Sequence, residues 1–201
     1  MCKGKKISLW LISWCVATIV IFGIQNGQQN MSLAQTSGVE GKVSEADEYF
    51  NEGKNQEALD IYKTILAEHP NDSVFCARAQ IGMANAYLRI GKQEEALSAY
   101  EAALVKYPND LWACSAGQKG IGDTYTSMGK FDEALAAYSV VLRKYSDQPE
   151  VCAWALLGTG NVYQQQGKVK KAKKTFNTIL KKYKDCERVI SETKAQIEVI
   201  K

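Results

Sequence analysis

The sequence contains a single histidine, His69, and three prolines, Pro70, Pro108 and Pro149, in 201 residues. With its lone histidine beside a helix-stopping proline, the chain offers nothing on which histidine-centred acid–base or nucleophilic catalysis could be built. Scarce proline together with abundant Ala, Leu, Lys and Glu favours helix over sheet. Six cysteines occur, but no two stand as Cys-x-x-Cys. Zinc sites, redox pairs and haem attachment therefore lack their usual pattern. The expectation is an all-α protein with no catalytic residues, no metal and no cofactor.

Acidic residues are missing from residues 1–34, which carry Lys3, Lys5 and Lys6. The rest of the chain holds 22 bases and 22 acids, unevenly spread. Residues 35–166 have 11 bases against 18 acids, and residues 167–201 have 11 bases against 4 acids. An acidic body with a basic end is a statement about partners rather than about fold.

The three early lysines precede an uncharged run, Ile7 to Ile24, followed by the polar stretch Gln25 to Asn30. A basic flank, an apolar stretch and a polar exit match a signal segment. The run is also just long enough to cross a bilayer as a helix. Lysines before the span stay cytoplasmic, so the remainder is expected on the exported side. Ser32-Leu33-Ala34 offers small residues for cleavage before Gln35, so retained anchor and cleaved signal both stand. Residues 35–42, with Gly38 and Gly41, read as a short tether.

What is present in quantity is repetition. Gly91-Lys92-Gln93-Glu94-Glu95-Ala96-Leu97 returns 38 residues later as Gly129-Lys130-Phe131-Asp132-Glu133-Ala134-Leu135. It also stands 38 residues earlier as Gly53 to Leu59, and a looser copy begins at Gly167-Lys168. A fixed period of this size marks a repeat array. Apolar spacing predicts paired helices within units 43–70, 71–108, 109–146 and 147–184, with a capping helix over 185–201. Ser44 is placed as the N-cap of a short first helix.

Residues 43–184 resemble the tetratricopeptide repeat. Its small first-helix residue appears as Ala46, Ala84, Gly122 and Gly160, and its tyrosine three positions on as Tyr49, Tyr87, Tyr125 and Tyr163. The turn glycine is Gly53, Gly91, Gly129 and Gly167, and the second-helix alanine is Ala58, Ala96, Ala134 and Ala172. Four residues beyond that alanine stand Tyr62, Tyr100, Tyr138 and Phe176. The usual period is 34 residues; the four added here amount to about one helical turn and lengthen the first helices. In this longer form the repeats resemble those of bacterial envelope proteins, such as the outer-membrane assembly lipoprotein and the Tol–Pal coordinating protein. The resemblance implies a right-handed superhelical solenoid that binds a protein segment on its concave side, in the cell envelope, without being an enzyme.

Other motifs reduce to scaffold. Cys76, Cys114 and Cys152 recur at the repeat period and read as small buried thiols, while Cys186 is left to pair or stay free. Glu94-Glu95 and Asp132-Glu133 sit in first turns, where the helix dipole favours acids. Gly120-Ile121-Gly122 and Gly158-Thr159-Gly160 lie inside helices and are expected to let neighbouring backbones approach.

Two surfaces remain. Carried over from the family, the groove positions are Arg78, Asn85, Arg89, Lys119, Asp123, Ser127, Trp154, Asn161 and Gln165. Asn85, Asp123 and Asn161 form a polar row that either hydrogen-bonds a bound peptide or is simply solvated. The second surface is basic: Lys168, Lys170, Lys171, Lys173, Lys174, Lys181, Lys182 and Lys184, eight lysines in seventeen residues. It suits an acidic protein or anionic lipid headgroups, or serves only solubility. Nucleic acid is not expected on the exported side of a membrane. The acidic body and basic end also fit each other, which keeps a homo-oligomer among the readings.

Overall fold

The computed structural model describes residues 38–70 and 72–200. The chain divides into two compact units, residues 1–42 and 43–201. Of the first unit, the described residues 38–42 are helical. The apolar run 7–24 lies outside the described residues.

Among the described residues there are nine helices and no strand. Helix α1 is described over 38–51, followed by α2 (Asn55–Glu68), α3 (Ser73–Arg89) and α4 (Gln93–Lys106). Then come α5 (Leu111–Ser127), α6 (Phe131–Lys144), α7 (Pro149–Gln165), α8 (Val169–Lys182) and α9 (Glu187–Val199). The repeat sets both lengths: α3, α5 and α7 have 17 residues each, and α2, α4, α6 and α8 have 14. One expectation fails at the start of the array. Residues 38–42, read as part of a tether, are already helical, so Ser44 lies inside α1 and caps nothing.

Each unit turns on a glycine. Gly53, Gly91, Gly129 and Gly167 have φ between 70° and 81°, the left-handed region closed to most side chains. The following lysine N–H then reaches back to a tyrosine carbonyl, as Lys92 does to Tyr87 at 2.9 Å. That closes the first helix with the backbone bonds typical of a glycine stop. Between units, Asp72 and Asp110 cap α3 and α5 by accepting from Phe75 N–H and Ala113 N–H, while Pro149 fills the first position of α7.

Successive helices pack in order along the array, and α3 touches α5, α5 touches α7, and α7 touches α9. The Cα atoms of the second helices α2, α4, α6 and α8 stay more than 8 Å from one another. First helices therefore run side by side while second helices are spread apart, which is how a helical-repeat solenoid curves.

The core is equally periodic. Tyr62, Tyr100, Tyr138 and Phe176 are each 0–1% exposed. Truncating such a ring typically costs about 3–5 kcal/mol. Room for the rings comes from glycine. A Cβ on Gly82 would strike Tyr62, on Gly120 Tyr100, on Gly158 Tyr138 and on Gly160 Phe176. These glycines thus clear aromatic rings, not the neighbouring backbones expected from the sequence. Each tyrosine spans a junction, its ring seated against the next unit's first helix.

The three periodic thiols are buried, as expected. Cys76 donates to His69 O at 3.0 Å, Cys114 to Tyr107 O at 3.4 Å and Cys152 to Tyr145 O at 3.1 Å. Each ties the start of one unit to the C-terminal carbonyl of the preceding second helix. Cys186 is free and half-buried.

Candidate partner-binding surfaces

The groove positions fall on α3, α5 and α7, the helices that lie side by side. Most of them are held by the protein itself. Arg78 pairs with Asp47 at 2.8 Å, and Arg89 donates to Phe50 O at 2.7 Å with its guanidinium 3.7 Å from the Phe50 ring centre. Lys119 Nζ lies 2.5 Å from Asp123 Oδ2 and 5.8 Å from the centre of the Trp154 ring. Ser127 donates to Thr124 O at 2.8 Å.

The polar row has a structural occupation that the sequence reading missed. Tyr62 hydroxyl donates to Asp47 Oδ1 at 2.6 Å, Tyr100 hydroxyl to Asn85 Oδ1, and Tyr138 hydroxyl to Asp123 Oδ1 at 2.6 Å. Each partner pair is 15 residues apart, one first-helix acceptor for one second-helix phenol. That spacing was available in the sequence as a signal. Asn85 and Asp123 therefore correct the expectation of a free row, because their inward oxygens are already used. Burial, with the nearby Asp47 or Asp123 carboxylate, raises the phenols of Tyr62, Tyr100 and Tyr138 above the ordinary value near 10.

The fourth unit breaks the pattern. Phe176 stands where a tyrosine would donate, and Asn161 Oδ1 is buried without a partner among the described residues. Trp154, seven residues earlier on α7, is half-buried, and Gln165 is exposed. Trp154, Asn161 and Gln165 are thus the groove residues not committed to the scaffold by a hydrogen bond or ion pair.

All eight lysines of the basic surface are exposed. Lys171 lies 5.5 Å from the centre of the Tyr163 ring and Lys182 lies 5.2 Å from that of Tyr183. None of the eight makes an ion pair among the described residues. A third surface was not anticipated: Val74, Val105, Leu111 and Trp112 are 52–79% exposed. Val74 lines a cleft with Ser73 and the 106–110 turn, and Leu111 and Trp112 follow that turn. Among the described residues no helix is long and apolar enough to cross a membrane, and no three His, Cys, Asp or Glu side chains converge as metal ligands would.

Two family models, both described as tetratricopeptide repeat, match residues 43–110 and 125–197, together more than half of the chain. Neither describes a catalytic family. Among curated proteins none matches the chain. Among solved structures, a tetratricopeptide repeat protein from Parabacteroides merdae is 19% identical over 80% of this chain and 67% of that one, with a TM-score of 0.53. A putative kinesin light chain with nearly identical repeats, from Podosopora anserina, is 16% identical over 78% of this chain and 93% of that one, at 0.55. A MamA fragment from Desulfovibrio magneticus RS-1 is 17% identical over 81% of this chain and 94% of that one, at 0.53. At such identities the likeness is one of fold.

Proposed function

Since the chain belongs to the tetratricopeptide-repeat family, we propose that it is a non-enzymatic scaffold that holds a segment of a protein partner along its first helices. The observation that carries this reading is the contact of α3, α5 and α7 with one another, which leaves an uninterrupted run of first-helix surface. Along that run the uncommitted side chains that a partner can reach gather in the fourth unit, at Trp154 and Gln165, whereas the unpaired oxygen of Asn161 is buried. A half-buried tryptophan and an exposed glutamine amide on one helix suit an extended segment that offers one apolar side chain and a backbone polar group.

The proposed place of action is the exported side of a bacterial cell envelope. Its support is the sequence: three lysines, an apolar run of membrane length, and a polar exit. Mass determination of the mature N-terminus decides between a chain that keeps Ile7–Ile24 and one that begins at Gln35.

The reading is tested by crosslinking and capture from envelope fractions with the full chain. Trp154→Ala combined with Gln165→Ala is expected to lose the captured partner, while a variant with the α8 lysines neutralised keeps it. Retention by the groove variant with loss by the lysine variant supports the second reading instead. In that case the chain is an assembly component held by its anchor and basic unit, a reading favoured by the eight exposed, unpaired lysines.

A further inference from the structure

The basic surface is a departure from the repeat, and the departure is confined to one helix. Lys168 belongs to the scaffold, since Lys54, Lys92 and Lys130 occupy the same position after each turn glycine. The next positions differ. Where α2, α4 and α6 carry Glu57, Glu95 and Glu133, α8 carries Lys171; where they carry Gln56, Glu94 and Asp132, it carries Lys170. Further along, Leu59, Leu97 and Leu135 correspond to Lys173, and Asp60, Ser98 and Ala136 to Lys174. Helix α8 contains no acid at all. Cations in a first turn oppose the helix dipole, so the scaffold gains nothing from this reversal.

The opposite charge stands uncompensated on a sister helix of the same length. Glu94, Glu95 and Glu101 of α4 are exposed and make no ion pair among the described residues. On α2 only Glu57 is left in this state among the described residues, since Asp60 accepts from Gln56 and Glu68 lies 3.9 Å from His69. Within one chain α4 and α8 do not touch. We infer that the lysine face of α8 docks onto the acidic face of α4 in a second copy of this chain. The contact uses second helices, so it leaves the first-helix surface free and does not depend on the partner proposed above. Docking and receiving faces differ, which makes the contact heterologous, so association grows with concentration instead of stopping at a pair. An interface built on charge complementarity is weakened by salt.

Sedimentation velocity of the full chain in a nonionic detergent tests this. At 20 mM NaCl the weight-average sedimentation coefficient is expected to rise with protein concentration, and at 500 mM NaCl the rise should vanish. Two variants carry the decision: Lys170→Glu with Lys171→Glu, Lys173→Glu and Lys174→Glu; and Glu94→Lys with Glu95→Lys and Glu101→Lys. Each alone is expected to stay monomeric, and an equimolar mixture to associate again, because α8 of one then faces α4 of the other with opposite sign. Circular dichroism confirms that both remain helical. A wild type that is monomeric at low salt overturns the inference, as does a mixture that fails to regain association. Flotation of the wild type with phosphatidylglycerol vesicles, in the absence of self-association, overturns it in favour of a lipid surface.

Discussion

At the scale of single residues, the most informative side chain is the one that breaks the series, Phe176. In the other three units a buried phenol donates to the first helix of its own unit, and at Asn161 the donor is missing. Phe176→Tyr should therefore supply the missing bond and stabilise the fold by about 0.5–1.5 kcal/mol, read as a shift in urea midpoint. Tyr138→Phe should act in the opposite sense by a similar amount, although Lys119 still holds the Asp123 carboxylate. Gly120→Ala sets two effects against each other. Alanine gains about 1 kcal/mol of helix propensity over glycine, but its methyl would strike the Tyr100 ring. Overpacking of a filled core costs about 1–3 kcal/mol. The ring belongs to a fully buried side chain, so destabilisation is expected to win in thermal unfolding.

Helix by helix, the dipole argument yields a test independent of any partner. Restoring acids to the first turn of α8, with Lys170→Glu and Lys171→Glu, should stabilise the monomer by about 0.3–1 kcal/mol per site at low salt. Chemical denaturation in 500 mM NaCl should shrink the gain. The helices themselves were legible because five positions recur at one spacing in all four units, and glycine, proline and aspartate mark nearly every boundary. The exception is instructive. Ser44-Glu45-Ala46-Asp47 has the local composition of a helix start, yet α1 runs back through residues 38–42. A capping signal is local, and it loses to burial: Val39, Val43 and Ala46, at helical spacing, are all buried, which overrides the poor helix propensity of Gly38 and Gly41. The groove was legible only as a set of positions. Whether Asn85 or Asp123 is free depends on a phenol in another helix, a pairing that single-helix periodicity does not reveal. The glycines misled for the same reason: their neighbours are rings from the preceding or the same unit, fixed by packing across helices.

For the whole molecule, three buried phenols give a pH dependence. Tyr62, Tyr100 and Tyr138 are raised by burial and nearby carboxylates, and Tyr107 is pushed up to about 12, mainly by burial. A phenol raised in the folded state stays protonated there while the unfolded chain ionises near pH 10. Their contribution to stability is therefore complete below about pH 10 and is lost as pH climbs through the raised values. Urea midpoints are expected to hold steady from pH 7 to 9 and to fall between pH 10 and 12. Tyr138→Phe should flatten that fall.

The closer approach of first helices than of second helices has a mechanical consequence. Helices joined along one edge and separated along the other form a bow, not a rod. Small rotations at each junction are resisted on the joined edge, where the tyrosine rings sit in their glycine slots, and little on the open edge. Bending that widens or narrows the spacing of α4, α6 and α8 is then the soft motion of the array. The segment proposed for α3, α5 and α7 and the second copy proposed for α4 and α8 would take separate faces, and each would meet the array along this one degree of freedom.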